Sequence, residues 1–116
     1  MNSNMIHQNQ QNISCICNYE INSAESYKLV ILKEVTDEID IFCPNQSCSV
    51  KELGYIKFKR NKDNSISFSK AKFYPTFVSY NITSTNDPKY FILKNHLIYI
   101  AKNRVNWTGV SKFLQN

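Results

Sequence analysis

The stretches Cys15-Ile16-Cys17 and Cys43-Pro44-Asn45-Gln46-Ser47-Cys48 contain all four cysteines of this 116-residue chain. Two tight cysteine pairs are typical of a structural zinc site, in which four thiolates surround the ion as a tetrahedron. In the second pair, Pro44 fixes φ and Asn45 tolerates turn conformations, which favours a rigid turn that carries both thiols. We therefore predict one structural Zn²⁺, with four ligands: Cys15, Cys17, Cys43 and Cys48.

Other interpretations of the four cysteines stay open on the sequence alone. The single residue between Cys15 and Cys17 is fewer than the usual spacing of about two to four residues between paired zinc ligands. Four reduced, buried cysteines or two disulfides would fit the same sequence. An iron–sulfur cluster is a further alternative, although these spacings match neither common ferredoxin pattern. Paired cysteines in an intracellular chain favour a metal over disulfides.

The sequence between the two cysteine pairs predicts a β-hairpin. Residues 27–35 are rich in apolar side chains, and residues 29–32 are apolar on both faces, which predicts a central strand of a sheet. Residues 38–43 alternate, with Ile39 and Ile41 on the core face. A turn at Thr36-Asp37 would bring the second cysteine pair back beside the first. The acidic side chains near this turn are expected to be solvated: Asp37, Glu38 and Asp40.

A cysteine pair, a β-hairpin and a second cysteine pair with a proline resemble the zinc-ribbon proteins, over residues 13 to about 60. The resemblance implies that the four cysteines are the metal ligands. It also implies a role in transcription, translation or RNA handling, or as a protein-interaction module, because zinc ribbons serve in all of these. The single residue between Cys15 and Cys17 departs from the family pattern, so the resemblance does not extend to a subtype.

The sequence after the second cysteine pair predicts further strands. Residues 54–60 alternate, with Ile56 and Phe58 facing inward, and residues 65–73 return as a second strand. The hydrophobic phase of that strand shifts, which predicts a β-bulge near residues 69–70. Residues 77–82, after Pro75, are rich in aromatic and β-branched side chains and predict one more strand, giving about five in all, mostly antiparallel.

The C-terminal part of the chain predicts two helices. Asn86 or Asp87 caps the first, Pro88 occupies its first position, and it continues over residues 89–103. Asn106 caps a short second helix over residues 107–114. The apolar face of the long helix is formed by Tyr90, Leu93, Leu97, Ile100 and Ala101, widened by Phe91 and Ile98, whereas His96 is placed on its outer side.

The predicted fold class is therefore α+β: a small antiparallel β-sheet with a zinc-ribbon-like four-cysteine site, followed by one long and one short C-terminal helix. Residues 1–12 are polar and predict a disordered tail, and residues 13–116 predict a single zinc-containing domain. No apolar run approaches the ~20 residues of a membrane span, and the N-terminus lacks the pattern of a signal peptide. We expect a cytoplasmic protein with no membrane partner.

The charge is divided unevenly between the two halves of the chain. Residues 1–50 contain two lysines and six acidic residues, a net charge of −4, whereas residues 51–116 contain twelve basic and three acidic residues, a net charge of +9. Such asymmetry predicts an anionic partner for the second half. A nucleic-acid contact surface is predicted from the outward-facing side chains of two neighbouring strands: Tyr55, Lys57, Lys59, Arg60, Lys70 and Lys72.

Two plainer explanations of the lysines stay open. The chain is rich in Asn, Ile and Lys together, which is the composition that an AT-rich genome produces without selection for charge. Exposed lysines also guard the edges of sheets against aggregation. Neither explanation requires a nucleic-acid partner.

The alternative function is a protein-interaction module, such as an adapter, small subunit or inhibitor, in which zinc is purely structural. Its motivation is the surplus of apolar side chains for so short a chain, including Ile92, Tyr99 and Trp107. No glycine-rich phosphate loop, Gly-x-Ser-x-Gly or His-Glu-x-x-His motif occurs. Zinc held by four thiolates would leave no open coordination position. We therefore expect no enzymatic activity and no small-molecule substrate.

Overall fold

The computed structural model describes residues 13–31, 37–84 and 86–115. The predicted disordered tail over residues 1–12 lies outside these residues, as do Thr36 of the predicted turn and the end of the first predicted strand. The described part of the chain has an α+β fold. Its strands form two antiparallel sheets, and three α-helices follow in the second half.

The smaller sheet pairs two short strands, β1 (Ile13–Ser14) and β2 (Glu20–Ile21). The larger sheet has four strands, and each pairs antiparallel with the next one along the chain. Its strands are β3 (Lys28–Ile31), β4 (Glu38–Phe42), β5 (Glu52–Arg60) and β6 (Ile66–Phe73). The hairpin predicted between the cysteine pairs is therefore confirmed as the β3–β4 pair.

The prediction that residues 29–32 form a central strand is wrong for the described residues, because β3 lies at the edge of the sheet. Its apolar side chains have a different explanation. Leu29 and Ile31 are half-buried, and they line a groove together with Val105 and Val110 from the C-terminal part of the chain. The C-terminal part of the chain therefore borders a groove over one face of this edge strand, whereas the sequence pattern suggested a neighbouring strand on each side.

The core face of the sheet follows the predicted alternation. Ile39 and Ile41 of β4 are buried, as are Ile56 and Phe58 of β5. The predicted bulge in β6 is confirmed, because Lys57 pairs with Lys70 whereas the next residue, Phe58, pairs with Phe68. One residue of β6, Ser69, is therefore left without a partner in the ladder. A second bulge separates the Ile41–Gly54 pair from the Phe42–Glu52 pair.

The strand predicted over residues 77–82 is wrong. Residues Pro75–Asn81 form a helix, α1. Pro75 begins it, where the fixed φ of proline suits a helix and no backbone N–H is lost. Phe77 and Asn81 are its two buried residues, and their spacing of four places them on one helical face. Burial of that face outweighs the β-propensity of the sequence.

The two predicted C-terminal helices are present as α2 (Lys89–Tyr99) and α3 (Trp107–Gln115). A π-helical segment, Ile100–Arg104, extends α2. Asp87 Oδ1 accepts the Lys89 N–H at 3.0 Å, and Asn106 Oδ1 accepts the Gly109 N–H at 3.0 Å, as expected of capping side chains. No helix in the described residues is both long and apolar enough to cross a membrane.

The apolar face predicted for the long helix is correct in part. Leu93 and Ile100 are buried, and Leu97 and Ala101 are half-buried. Three other side chains assigned to that face are exposed instead: Tyr90, Phe91 and Ile98. Helix α2 contacts β1 and β6, so it packs against the short strand that precedes Cys15 and against the last strand of the larger sheet.

Candidate metal centre

The first cysteine pair lies in the tight turn between β1 and β2. The Asn18 N–H donates to Cys15 O at 2.8 Å, and the Cys15 N–H donates to Tyr19 O at 2.9 Å. Asn18 has a φ of 72°, a left-handed conformation that asparagine tolerates better than most residues. The chain thus reverses directly after Cys17. This reversal allows a pair with only one intervening residue to face a common point.

The second cysteine pair lies in the loop between β4 and β5. The Cys43 N–H donates to Lys51 O at 2.7 Å, which closes the loop. Backbone N–H groups also approach the sulfurs: that of Asn45 lies 3.4 Å from Cys43 Sγ, and that of Lys51 lies 3.3 Å from Cys48 Sγ. Such donors stabilise negative charge on thiolates. The loop therefore points one backbone N–H group at the sulfur of each cysteine of the second pair.

The four sulfur atoms form one compact group at the junction of the two loops. Cys15 Sγ lies 3.6 Å from Cys48 Sγ, and Cys17 Sγ lies 3.8 Å from Cys43 Sγ. All four sulfurs lie within 4.8 Å of one another. A tetrahedral ion with Zn–S bonds of about 2.3 Å requires neighbouring sulfurs about 3.8 Å apart. The spacing therefore suits one ion between four thiolates, and the four cysteines can hold a metal.

The disulfide alternative does not fit these distances. A disulfide requires sulfurs about 2.05 Å apart, and all four cysteines are free thiols in the structure. Three of them, Cys15, Cys43 and Cys48, are buried, while Cys17 is half-buried. The site is therefore closed on three sides and reaches solvent at Cys17.

The thiols differ in how readily they ionise. Burial raises the pKa of Cys15 to about 11, and it also raises the pKa of Cys43 above its ordinary value. Burial acts in the same direction on Cys17, but the Asn45 side-chain amide and the Tyr19 backbone outweigh it and lower the pKa of Cys17 to about 7. A cation at the centre would favour the thiolate form of all four, so metal binding would release protons.

Helix α1 holds the first cysteine turn in place through residues that the sequence pattern does not indicate, Tyr80 and Asn81. Asn81 is buried and hydrogen-bonds both backbone groups of Ser14, which directly precedes Cys15. Tyr80 donates its hydroxyl hydrogen to Asn18 Oδ1 at 2.9 Å. Asn45 was recognised only as a turn residue, yet its Nδ2 also donates to Cys17 Sγ at 3.4 Å. Asn81 follows the apolar Phe77 by four residues, and this helical spacing is the one sequence signal that could have pointed to Asn81.

The residues predicted to contact nucleic acid are brought together in part. Tyr55 lies directly opposite Lys72, and Lys57 directly opposite Lys70, in the β5–β6 ladder. Lys57 Nζ lies 5.6 Å from the centre of the Tyr55 ring. Because side chains on a strand alternate between faces, these four residues share the outer face of the sheet.

The other two predicted contact residues lie further along β5. Lys59 follows Lys57 on the same face and is opposite Ser67. Arg60, at the end of the strand, shares its parity with the buried Phe58 and therefore belongs to the other face. The structure thus groups Tyr55, Lys57, Lys70 and Lys72 most closely, with Lys59 adjoining them and Arg60 set apart.

Two predictions about titratable side chains are wrong. His96 does not lie on the outer side of the long helix: it is 9% exposed, and a hydrogen bond of 2.8 Å joins its Nδ1 to the Tyr27 hydroxyl. Burial lowers the pKa of His96 and keeps the ring neutral. Asp40 is not in a solvated turn either, because it is 4% exposed in the middle of β4.

No protein-family model, curated protein or solved structure matches this chain. The resemblance to zinc ribbons therefore stands on the cysteine pattern and on the geometry of the four sulfurs. Taken together, these observations define a small α+β protein with a four-cysteine cluster that can hold a metal ion.

Proposed function

We propose that the metal held by this chain is one structural zinc ion. Four thiolates with tetrahedral spacing support this assignment, because zinc strongly favours such sites in proteins. With all four positions taken by sulfur, no position would be left for a substrate or an activated water. We accordingly propose a non-enzymatic protein of a reducing compartment such as the cytoplasm, a location supported by four cysteines that form no disulfide.

The experiment that tests the zinc assignment is metal analysis of protein purified without added metal. One zinc per chain, measured by mass spectrometry under native conditions and by elemental analysis, is the expected result. Iron at the same stoichiometry would contradict the assignment of zinc but would still support a metal site at the four cysteines. Metal-free protein with four readily alkylated thiols would contradict the site itself.

We further propose that the outer face of the four-stranded sheet binds single-stranded nucleic acid. One observation carries this proposal: Lys57 and Lys70 lie directly opposite each other in the ladder, and Lys72 lies beside them, opposite Tyr55. Like charges directly opposed across two strands are destabilising. A phosphate bound between them would relieve that repulsion, and an aromatic ring at the same level offers a surface on which a base can stack.

Salt dependence distinguishes this binding from nonspecific association. Contacts to three or four phosphates of a single strand should lower the affinity about 20- to 50-fold between 50 and 200 mM salt, because each contact releases counterions. Fluorescence anisotropy with a labelled oligothymidylate and a labelled oligouridylate provides the measurement. An affinity that does not change with salt would contradict the proposal.

A matched pair of variants assigns the binding to this face. Lys70→Gln/Lys72→Gln removes two charges from β6, and Lys94→Gln/Lys102→Gln removes two charges from exposed positions of α2 and the segment after it. Because the net charge is the same, long-range attraction is affected equally. We expect the first variant to bind at least tenfold more weakly than the second. Equal weakening would show that only net charge matters.

A second candidate function, a protein-interaction module, is favoured by the exposed aromatic residues of α2. Phe91 is 62% exposed and Tyr90 48% exposed. Tyr90 also lines an apolar groove of about 390 Å³ between β6, α1 and α2. Exposed apolar surface next to a groove is typical of a docking site. Sedimentation of the wild type and of Phe91→Ser tests it: self-association lost in the variant supports it, and a monomer in both contradicts self-assembly by this surface.

A further inference from the structure

Three carboxylates converge on the outer face of the sheet, away from the cysteine cluster. Glu38 and Asp40 lie two residues apart on β4 and therefore share a face. The bulge at Leu53, directly after Glu52, places Glu52 opposite Phe42, on the same face, rather than on the core face. One carboxylate oxygen from each of the three residues lies within 4.8 Å of the others. The bulge is thus the feature that completes the cluster.

Asp40 is the buried member of this cluster, and its hydrogen bonding is incomplete. Its side chain is 4% exposed, and its Oδ1 atom has no hydrogen-bond partner among the described residues. A buried carboxylate oxygen without a partner carries a substantial desolvation cost. Burial, together with the neighbouring Glu38 and Glu52 carboxylates, raises the pKa of Asp40 to about 7.

Among the described residues, no cationic side chain forms an ion pair with Glu38, Asp40 or Glu52. Within the described ranges, the ion pair between Arg104 and Glu25 is the one found, and it lies elsewhere in the structure. Lys57 is opposite Glu38 in the ladder, but its ammonium group lies over the Tyr55 ring. Tyr74 donates a hydrogen bond to Glu52 Oε2 at 3.0 Å, which fixes one carboxylate without adding positive charge.

We propose that Glu38, Asp40 and Glu52 form a second metal site, one for a divalent cation that prefers oxygen ligands, such as Mg²⁺, Mn²⁺ or Ca²⁺. Such ions bind carboxylate oxygens at about 2.0–2.6 Å, so two oxygens on one ion lie about 3 to 5 Å apart. The cluster meets that requirement. A cation would satisfy the orphan Asp40 Oδ1 and remove the repulsion between the three carboxylates. Water molecules would complete the coordination.

The chemistry of the two sites makes them separable. Four thiolates select a soft or borderline ion, whereas three carboxylates select a hard one. The carboxylate site also lies on the face that carries Tyr55, Lys57 and Lys72, but the inference does not depend on nucleic-acid binding. If the protein binds the cation but no oligonucleotide, the carboxylate site is supported and only the nucleic-acid proposal is contradicted.

Mn²⁺ is the probe for this test, used on the full chain loaded with one equivalent of zinc. The electron paramagnetic resonance signal of free Mn²⁺ is lost on binding and gives the stoichiometry and affinity. We expect one Mn²⁺ per chain with half-saturation below about 1 mM, competed by Mg²⁺ or Ca²⁺. Absence of stoichiometric binding in that range would overturn the proposal and would leave a shared proton as the explanation of the Asp40 environment.

Two variants complete the test. Asp40→Asn keeps the shape and removes a buried charge, so it should fold and should weaken Mn²⁺ binding at least tenfold. Asp37→Asn makes the same change at an exposed position three residues earlier, and its affinity should stay within twofold of the wild type. Equal affinity in Asp40→Asn and the wild type would overturn the proposal. Thermal denaturation of each zinc-loaded variant confirms that a loss of binding is not a loss of fold.

Discussion

Asn81 hydrogen-bonds both backbone polar groups of Ser14, in addition to the pairing of Ser14 with Glu20 of β2. Its Oδ1 accepts the Ser14 N–H at 3.0 Å, and its Nδ2 donates to Ser14 O at 2.9 Å and to Phe77 O at 3.0 Å. The side-chain amide therefore satisfies both polar groups of one backbone residue next to Cys15. Through this contact, helix α1 positions the first cysteine turn although the two are 67 residues apart in sequence.

We expect Asn81→Ala to destabilise the protein by about 1 to 3 kcal/mol, because it leaves partly buried backbone groups of Ser14 without this partner. Urea denaturation of the zinc-loaded protein measures this change. Ser79→Ala, at an exposed position of the same helix, should change stability by no more than about 0.5 kcal/mol. Comparable losses in the two variants would show that α1 is merely sensitive to substitution.

Removal of one thiolate should have a larger effect. Binding of structural zinc contributes about 10–16 kcal/mol, which is comparable to the whole stability of a small protein, about 5–15 kcal/mol. We therefore expect Cys43→Ser to lose zinc and to lose its cooperative thermal transition. Metal analysis and circular dichroism measure the two effects.

The control for that variant is Ser47→Ala in the same loop. Ser47 contributes its backbone N–H to Asn45 Oδ1 at 3.0 Å, and the substitution keeps this bond. Zinc content and melting temperature should therefore equal those of the wild type. A Cys43→Ser protein that melts cooperatively at the wild-type temperature would contradict a ligand role for Cys43.

The cysteine site could be predicted in part from sequence, because the two members of each cysteine pair are close in the chain and chemically specific. The spacing of Cys15, Cys17, Cys43 and Cys48 was sufficient to indicate a metal, and the alternation of β4 and β5 was sufficient to place the core face. The bulge opposite Lys57 was also predictable, since it shifts the phase of a hydrophobic pattern. In each of these cases the signal is local.

The features that the sequence misrepresents depend on contacts between distant segments. Residues 77–82 have the composition of a strand, but a helix forms because it buries Phe77 and Asn81 on one face. The sequence places His96 on the outer side of the helix, although its spacing from the buried Leu93 and Ile100 is that of a buried stripe. Its partner, Tyr27, is 69 residues away. No local sequence pattern indicates a hydrogen-bond partner at that distance along the chain.

The buried His96 predicts a pH dependence of stability. Burial lowers its pKa in the folded protein, whereas the unfolded chain takes up the proton near pH 6.5, so the unfolded state binds more protons as the pH falls. The contribution of the neutral His96 to the free energy of unfolding should be complete above about pH 6.5. The free energy of unfolding should fall as the pH drops through the lowered pKa, by up to about 1.4 kcal/mol per pH unit.

Acid also releases zinc from thiolates, so the wild-type profile alone is not diagnostic. The comparison with His96→Gln isolates the histidine, because both proteins share the same cysteines. Free energies of unfolding between pH 7.5 and 5 should fall less steeply in the variant. Parallel profiles for the two proteins would contradict a depressed pKa at His96.

Gly54 is required by the close approach of β5 and β6. A Cβ atom at this position would lie 2.5 Å from Lys72 O and 2.9 Å from Phe73 Cα, and backbone atoms cannot move aside as a flexible side chain can. Gly54→Ala should therefore force the two strands apart and destabilise the protein by about 1–3 kcal/mol or more.

The chain's other glycine offers the matched comparison. A Cβ at Gly109 would meet side-chain atoms of Asn106 at 3.2 Å, and alanine in a helix gains up to about 1 kcal/mol over glycine. Gly109→Ala should therefore cost clearly less than Gly54→Ala in urea denaturation. Because Gly54 lies between the Tyr55–Lys72 pair and the bulge that positions Glu52, Gly54→Ala should also weaken Mn²⁺ binding, whereas Gly109→Ala should not. Equal Mn²⁺ affinity in both variants would show that the carboxylates tolerate displacement of β5 from β6.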